Sequence, residues 1–463
     1  MKNTIKLFSI LIMALGMSLS AAAQIEVTPV VPSQDETVKA QCISAQDMTE
    51  IAKSFKQYQN LSGKEYCFDG SQLSYLLAGL NYIRKLEFVD PQVKSQDELF
   101  SGKFAQNWFG YFTTRIKTIS IEQNCPQGAI AYVMGFFHNN TMHVCPIGLT
   151  DSFTPMDLAS VFMHEARHID GFPHVMCSEG PRAGLSGACD KRISDGGSYA
   201  VTVETYSQLG QYGKNINPAY RAIAQASALI YGAESFQQPV KINTEEAFLA
   251  LTEDKKIFKI EPSLDKEAVQ VGETAALGHI IKNKPGLLIL PQDKNQKITR
   301  IYPTGETQAI SVEYNDDTVA NRSNVVDYYF AWTWNARIEK NKVTFFCDKR
   351  ERPTLKSDVA LNGEALSIVY PEGYTPANNF AYLMTTQGVV KIGCTGSKGE
   401  VSAANVTIDS DIKRIHKAQG TTLALTQTGE LLNMNNRSER INLGIGNIVD
   451  ITSYTRATFF DKK

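Results

Sequence analysis

The sequence predicts two domains, a mixed α+β domain followed by an all-β domain, and three observations lead there. From Ser44 to about Arg84 the apolar residues fall at helical spacing: Met48, Ile51, Phe55 and Tyr58, then Leu73, Leu76, Leu77, Leu80 and Ile83. Past residue 240 the character changes to short apolar strands separated by polar turns, several of them variants of one pattern. A chain of 463 residues is also too long for a single core. The expected boundaries are a signal peptide over 1–23, a flexible leader over 24–40, an α+β domain over 41–240 and a repeat domain over 241–463.

The signal peptide follows from a basic start (MKNTIK), an apolar stretch from Leu7 to Met17 and small residues at 20–23, with cleavage expected near Ala23. The apolar stretch is too short for a permanent membrane span, and no later run reaches about twenty residues, so an exported chain with no membrane span after cleavage is expected. The polar, Pro-containing segment after it reads as the leader. Eight cysteines, an even number, argue for disulfides in an exported chain, and no C-x-x-C pair suggests zinc ligands. Sequence order favours Cys42–Cys67, Cys125–Cys145, Cys177–Cys189 and Cys347–Cys394, although spacing alone does not fix the pairing. A formal charge of −2 with mixed surface charges excludes a basic face for nucleic acid.

Within the first domain, residues 100–118 read as a further amphipathic helix, and 129–137 with 141–145 as a hairpin turning at His138-Asn139-Asn140. His138 and His143 read as ordinary turn and strand residues. Thr154-Pro155-Met156-Asp157 is a helix start: Thr at the cap, Pro at the first position, an acid at the third. The helix is expected from Pro155 to about Asp170, and two more over 198–211 and 218–231.

The first of these helices carries the chemistry. His164-Glu165-Ala166-Arg167-His168 places two imidazoles four residues apart, on one helix face, where both can bind one metal. Glu165 lies beside them, suited to accept a proton from water. Gly171 permits a left-handed exit, and Pro173 prevents the helix from resuming, so His174 can swing back as a third ligand. Three of the seven histidines thus fall within eleven residues. This stretch resembles the zincin metallopeptidases. The resemblance implies a zincin-like α+β domain, Zn2+ held by His164 and His168, Glu165 as general base and a protein or peptide substrate. His174 takes the third-ligand position of the metzincin branch, yet the only nearby methionine, Met176, stands too close to be that branch's downstream Met. The other branch takes its third ligand from a Glu on a following helix, and Glu204 fits that role, so the third ligand is left between His174 and Glu204. Asp170 reads as the carboxylate holding an imidazole from behind, and Tyr199 and Tyr206 as packed rings.

In the second domain, residues 248–260 (FLALTEDKKIFKI), 380–392 (FAYLMTTQGVVKI) and 422–434 (TLALTQTGELLNM) share one strand–turn–strand plan, with looser copies at 279–290 and 334–346. The later copies recur at about 42 to 50 residues, the period of propeller blades. They resemble β-propeller repeats of the regulator-of-chromosome-condensation type. A sandwich of irregular hairpins would carry a similar pattern. Two functions follow: an exported zinc endopeptidase whose repeat domain holds substrate, or a secreted protein-binding module with a structural zinc site.

Overall fold

The computed structural model describes residues 28–29 and 42–457, except 89–106, 127–128, 135–139, 151–152, 179–185, 217, 239, 241–243, 275–276, 284–285, 292, 294–297, 304–308, 316–324, 331–333, 348–354, 370–379, 396–397, 405–407 and 437–438. The expected signal peptide and His138 lie outside the described residues. The chain divides into two compact units, one ending at Ile242 and the next beginning at Asn243. Among the described residues no helix is long and apolar enough to cross a membrane.

The first unit is α+β. Helices Ala45–Ser54 and Gln72–Lys85 bury apolar positions that the spacing picks out, including Met48, Ile51, Leu76 and Leu80, and Trp108–Arg115 buries Trp108 and Phe112. Against them packs the histidine helix, Pro155–His168, with the Phe162 ring stacked on Phe112 at 5.6 Å. Gly79 lets Gln72–Lys85 come close, since a Cβ there would already lie 3.0 Å from Leu158 Cβ. A three-stranded sheet completes the unit. Thr141–Val144 is its centre, parallel to Thr118–Ile121 and antiparallel to Ala131–Val133. Val133 and Val144 face the core, while His143 lies on the other face, stacked on Tyr132 and bonded to Glu122 at 2.9 Å. His143 is thus a strand residue, as expected.

The histidine helix begins where its sequence directs. Thr154 Oγ1 accepts from the Asp157 N–H at 3.2 Å, and the Asp157 carboxylate accepts from the Thr154 N–H at 3.0 Å, a reciprocal cap that closes two otherwise unmet donors. Both residues are buried. Thr154→Ala is therefore expected to cost about 1–2 kcal/mol and to lower the first unit's thermal transition by roughly 2–8 °C, read by circular dichroism.

Among the described residues the second unit is a β-propeller of five blades. Its strands form five antiparallel sheets of four, apart from the short pair Thr28–Pro29 added at one edge. The innermost strands, Gly278–Asn283, Val325–Phe330, Ala365–Val369, Ile412–Ala418 and Ile448–Ala457, adjoin one another in a closed ring. Closure is by exchange. The last strand, Ile448–Ala457, pairs along Thr244–Thr252, so one blade is built from both ends of the unit. Each blade's inner strand lies beside its neighbours in the ring, which is how propellers keep their sheet edges short and protected. The inner strands begin 36 to 47 residues apart along the chain. The repeats at 248–260, 334–346, 380–392 and 422–434 fall on the second and third strands of their blades. The copy at 279–290 falls instead on the first and second strands, a register error in the sequence reading. Thr28 and Pro29 pair with Asn315 and Tyr314 at the outer edge of one blade, so the expected flexible leader is bound at these two residues.

Four disulfides join the cysteines in sequence order, six in the first unit and two in the second. Cys347–Cys394 ties neighbouring blades through Lys342–Cys347 and Gly388–Thr395.

Four of the five inner strands carry a one-residue bulge at the same level, passing over Val326, Leu366, Lys413 and Val449. The residues that follow, Asp327, Ser367, Arg414 and Asp450, are turned together and buried. Arg414 pairs with Asp327 and, at 3.0 Å, with Asp450, while the backbone N–H groups of Ile368 and Ile280 donate to the same two carboxylates. Burial raises the Asp450 pKa, but the Arg414 guanidinium and His279 overcome that and hold it well below the usual carboxylate range.

Candidate metal centre

Three imidazoles meet at the end of the histidine helix. One ring nitrogen each from His164, His168 and His174 lies within 4.8 Å of the other two. The helix ends at His168, and Gly171 takes φ 84°, the left-handed exit that its sequence position requires. The chain then returns through Phe172 and Pro173, bringing His174 Nε2 to 3.1 Å from His164 Nε2.

The opposite nitrogens explain the convergence. His168 Nδ1 lies 2.6 Å from the Phe172 carbonyl, which can only accept, so the ring carries its proton there. His174 Nδ1 donates to the Asp190 carboxylate at 3.0 Å. His164 Nδ1 donates to Thr202 Oγ1 at 2.8 Å, since that hydroxyl gives its own proton to the Ser198 carbonyl at 3.2 Å. Each ring is thus the Nδ1–H tautomer with an Nε2 lone pair facing inward. Two neutral lone pairs 3.1 Å apart repel, and His168 Nε2 is a buried atom with no hydrogen-bond partner. A cation between them removes both penalties, so the residues present fit a metal ion; three neutral imidazole nitrogens are a donor set suited to zinc.

Glu165 lies on the adjacent helix face with no exposed surface, and neither carboxylate oxygen has a well-formed hydrogen bond. Burial pushes its pKa well above the usual carboxylate range, offset in part by the nearby Val133 N–H. Burial likewise lowers the His168 pKa well below its usual value, with His174 adding to the effect and the Phe172 carbonyl opposing it.

The support helix Ser198–Tyr212 crosses behind the rings. Its Ser198 and Thr202 reach His168 and His164, and the Tyr199 ring lies 4.4 Å from that of His174. Glu204 is buried on the same helix but is not part of the imidazole cluster. It stands two residues beyond Thr202, about 200° further round the helix axis. Tyr206 stacks on Tyr231 and reaches Asp157, so it is a packed ring as read. Met176 is 56% exposed and so cannot floor the site.

Asp170 does not hold an imidazole. Arg115 and Arg167 take its carboxylate at 2.9 and 2.5 Å, and Arg167 lies over the Phe172 ring at 3.8 Å, bracing the helix exit. The carboxylate behind the site is Asp190, which the sequence reading missed. A signal was present: Gly196-Gly197 leaves the support helix without a side-chain cap, so a remote acceptor is required.

No protein-family model and no curated protein matches the sequence. Among solved structures the chain is similar to apo AztD from Citrobacter koseri, at 12% identity and TM-score 0.22 over 45% of this chain and 63% of that one. It is similar also to a putative 6-phosphogluconolactonase from Bacteroides uniformis, at 11% and 0.24 over 43% and 67%. BamB from Moraxella catarrhalis follows at 10% and 0.19 over 42% and 60%. The chain spans less than two thirds of the length of AztD and BamB. The propeller assignment rests on strand order and ring closure instead.

Proposed function

We propose that this chain is an exported zinc-dependent hydrolase of peptide bonds, with His164, His168 and His174 as metal ligands and Glu165 as general base. The observation that carries the proposal is the inward convergence of three locked Nε2 lone pairs beside a buried carboxylate with no well-formed hydrogen bond. Zinc, when bound, polarises a carbonyl and makes its water acidic near neutral pH. The protein's own part is to hold the three rings in one tautomer and to accept a proton at a Glu165 oxygen. Burial raises the pKa of that carboxyl, which favours its protonated form once a proton has been accepted. Four disulfides suit an oxidising compartment outside the cytoplasm. The propeller is proposed to hold a protein or peptide partner, and neither unit is proposed to bind nucleic acid.

A second reading has its own support: a protein-binding propeller joined to a structural zinc site. His164 is 2% exposed and His174 5%, which suits a closed, structural centre with no open position. The two readings part on digestion of an unfolded protein such as casein by the full chain, with chelator and after zinc is restored. Zinc-dependent cleavage supports the hydrolase. A zinc-loaded, folded and inactive protein supports the structural site.

The third ligand is tested by affinity. His174→Ala is expected to weaken zinc binding by well over 100-fold, and Glu204→Ala by less than tenfold, in competition with a chromogenic chelator. The reverse ranking would make Glu204 the ligand.

A further inference from the structure

The geometry assigns Asp190 as the residue that positions the whole imidazole cluster, directly at His174 and through the support helix at the other two rings. This rests on the three-histidine reading above.

Its two oxygens do separate work. Oδ1 accepts from His174 Nδ1 at 3.0 Å. Oδ2 accepts from the N–H groups of Tyr199 at 2.8 Å and Ala200 at 3.3 Å, in the first turn of Ser198–Tyr212. The helix needs this remote cap because its own cap residue, Gly197, has no side chain. A side chain there is impossible without movement, since a Cβ on Gly197 would clash with the Asp190 carboxylate. The capped helix carries Ser198 and Thr202, the hydroxyls that meet His168 and His164. One buried carboxylate therefore bears on all three rings.

Asp190 is itself fixed on several sides. Its N–H donates to the Ser235 carbonyl and its carbonyl accepts from Gln237 N–H, both at 2.9 Å. The preceding Cys189 is bonded to Cys177, and Cys189 and Val175 exchange backbone hydrogen bonds of 2.7 and 3.2 Å. The segment just after His174 is thus stapled to the segment just before Asp190, so ligand and partner are held as one piece.

An amide cannot replace this carboxylate. Every group facing the Asp190 carboxylate is a donor, and an amide has one accepting oxygen where two are needed. If the amide oxygen of D190N keeps the helix N–H groups, its NH2 meets His174 Nδ1 and forces the proton to Nε2, the nitrogen required for metal.

The test uses the full chain labelled with 15N-histidine, whose tautomers are read by long-range proton–nitrogen correlation, together with zinc competition. In the metal-free wild type His174 should be the Nδ1–H tautomer. In D190N it should shift towards Nε2–H, and zinc affinity should fall about 10- to 100-fold. T202V removes a hydroxyl that meets His164 and the Ser198 carbonyl but not His174, so it should leave the His174 tautomer unchanged. An Nε2–H tautomer at His174 in the wild type overturns the inference whether or not D190N folds. So does a D190N protein with unchanged tautomer and affinity. A wild type that shows the expected tautomers yet takes up no zinc would sink the proposed function and leave the positioning role standing.

Discussion

On the proposed hydrolase reading, Glu165→Gln is expected to lower zinc-dependent cleavage by about 100- to 10,000-fold and to leave zinc content unchanged. The substitution keeps the shape of a side chain that has no exposed surface and packs beside Ala131–Val133. It removes the negative charge and the ability to take a proton, and it changes one accepting oxygen to a donor. Since no ligand is changed, the three Nε2 positions and their tautomers should persist. Turnover and zinc content measured on one preparation check the prediction. Wild-type turnover in the Gln variant would remove Glu165 from the chemistry. Loss of zinc together with activity would place Glu165 in the metal's support.

The second large effect lies in the propeller. Arg414→Met strips the guanidinium that lies between the buried Asp327 and Asp450 carboxylates. Leaving such charges unpaired costs about 3–5 kcal/mol, so the second unit should unfold at markedly lower denaturant than the wild type. The pH dependence gives a second signature. In the wild type the Asp450 pKa is depressed, so its stabilisation is complete above the unfolded value of about 3.9 and is lost as pH falls through the lower folded value. Without Arg414 burial dominates and the folded pKa rises above the unfolded one. Protonation then favours the folded variant, so its defect should narrow on acidification while the wild type weakens. The other groups facing this carboxylate, His279 and Lys413, remain in both proteins. A defect independent of pH between about 4 and 7 would contradict the assignment.

What the sequence made legible was local. The Thr154–Asp157 cap, the i, i+4 histidines and the Gly171 break each act over a few residues, and each takes the form that its spacing requires. Sequential disulfides, closing loops of 12 to 47 residues, are the same kind of short-range fact. The misses were long-range. Asp170 is nearest to the motif in sequence, but two arginines claim it. Asp190 reaches His174 only because Val175 and Cys189 pair across a disulfide-closed loop. Glu204 and Thr202 belong to one helix, and only the direction in which it packs tells which of them faces the rings. In the propeller the period was readable from the LALT-type strands, but the number of blades was not. That number depends on Ile448–Ala457 pairing with Thr244–Thr252 from the far end of the unit, and no local pattern records this. The copy at 279–290 was misregistered because the inner strand Gly278–Asn283 also carries a buried apolar pair, Ile280 and Ile281, ahead of the more apolar strand Gly286–Pro291.

The central claim is a zinc ion held by three imidazoles with one position left to water. X-ray absorption at the zinc edge of the full chain, loaded to saturation, tests both parts together. The expected result is about one zinc per chain, three imidazole nitrogens at about 2.0–2.1 Å and a single further oxygen. A sulfur neighbour at about 2.3 Å, a fourth imidazole, or no zinc bound at all would contradict it.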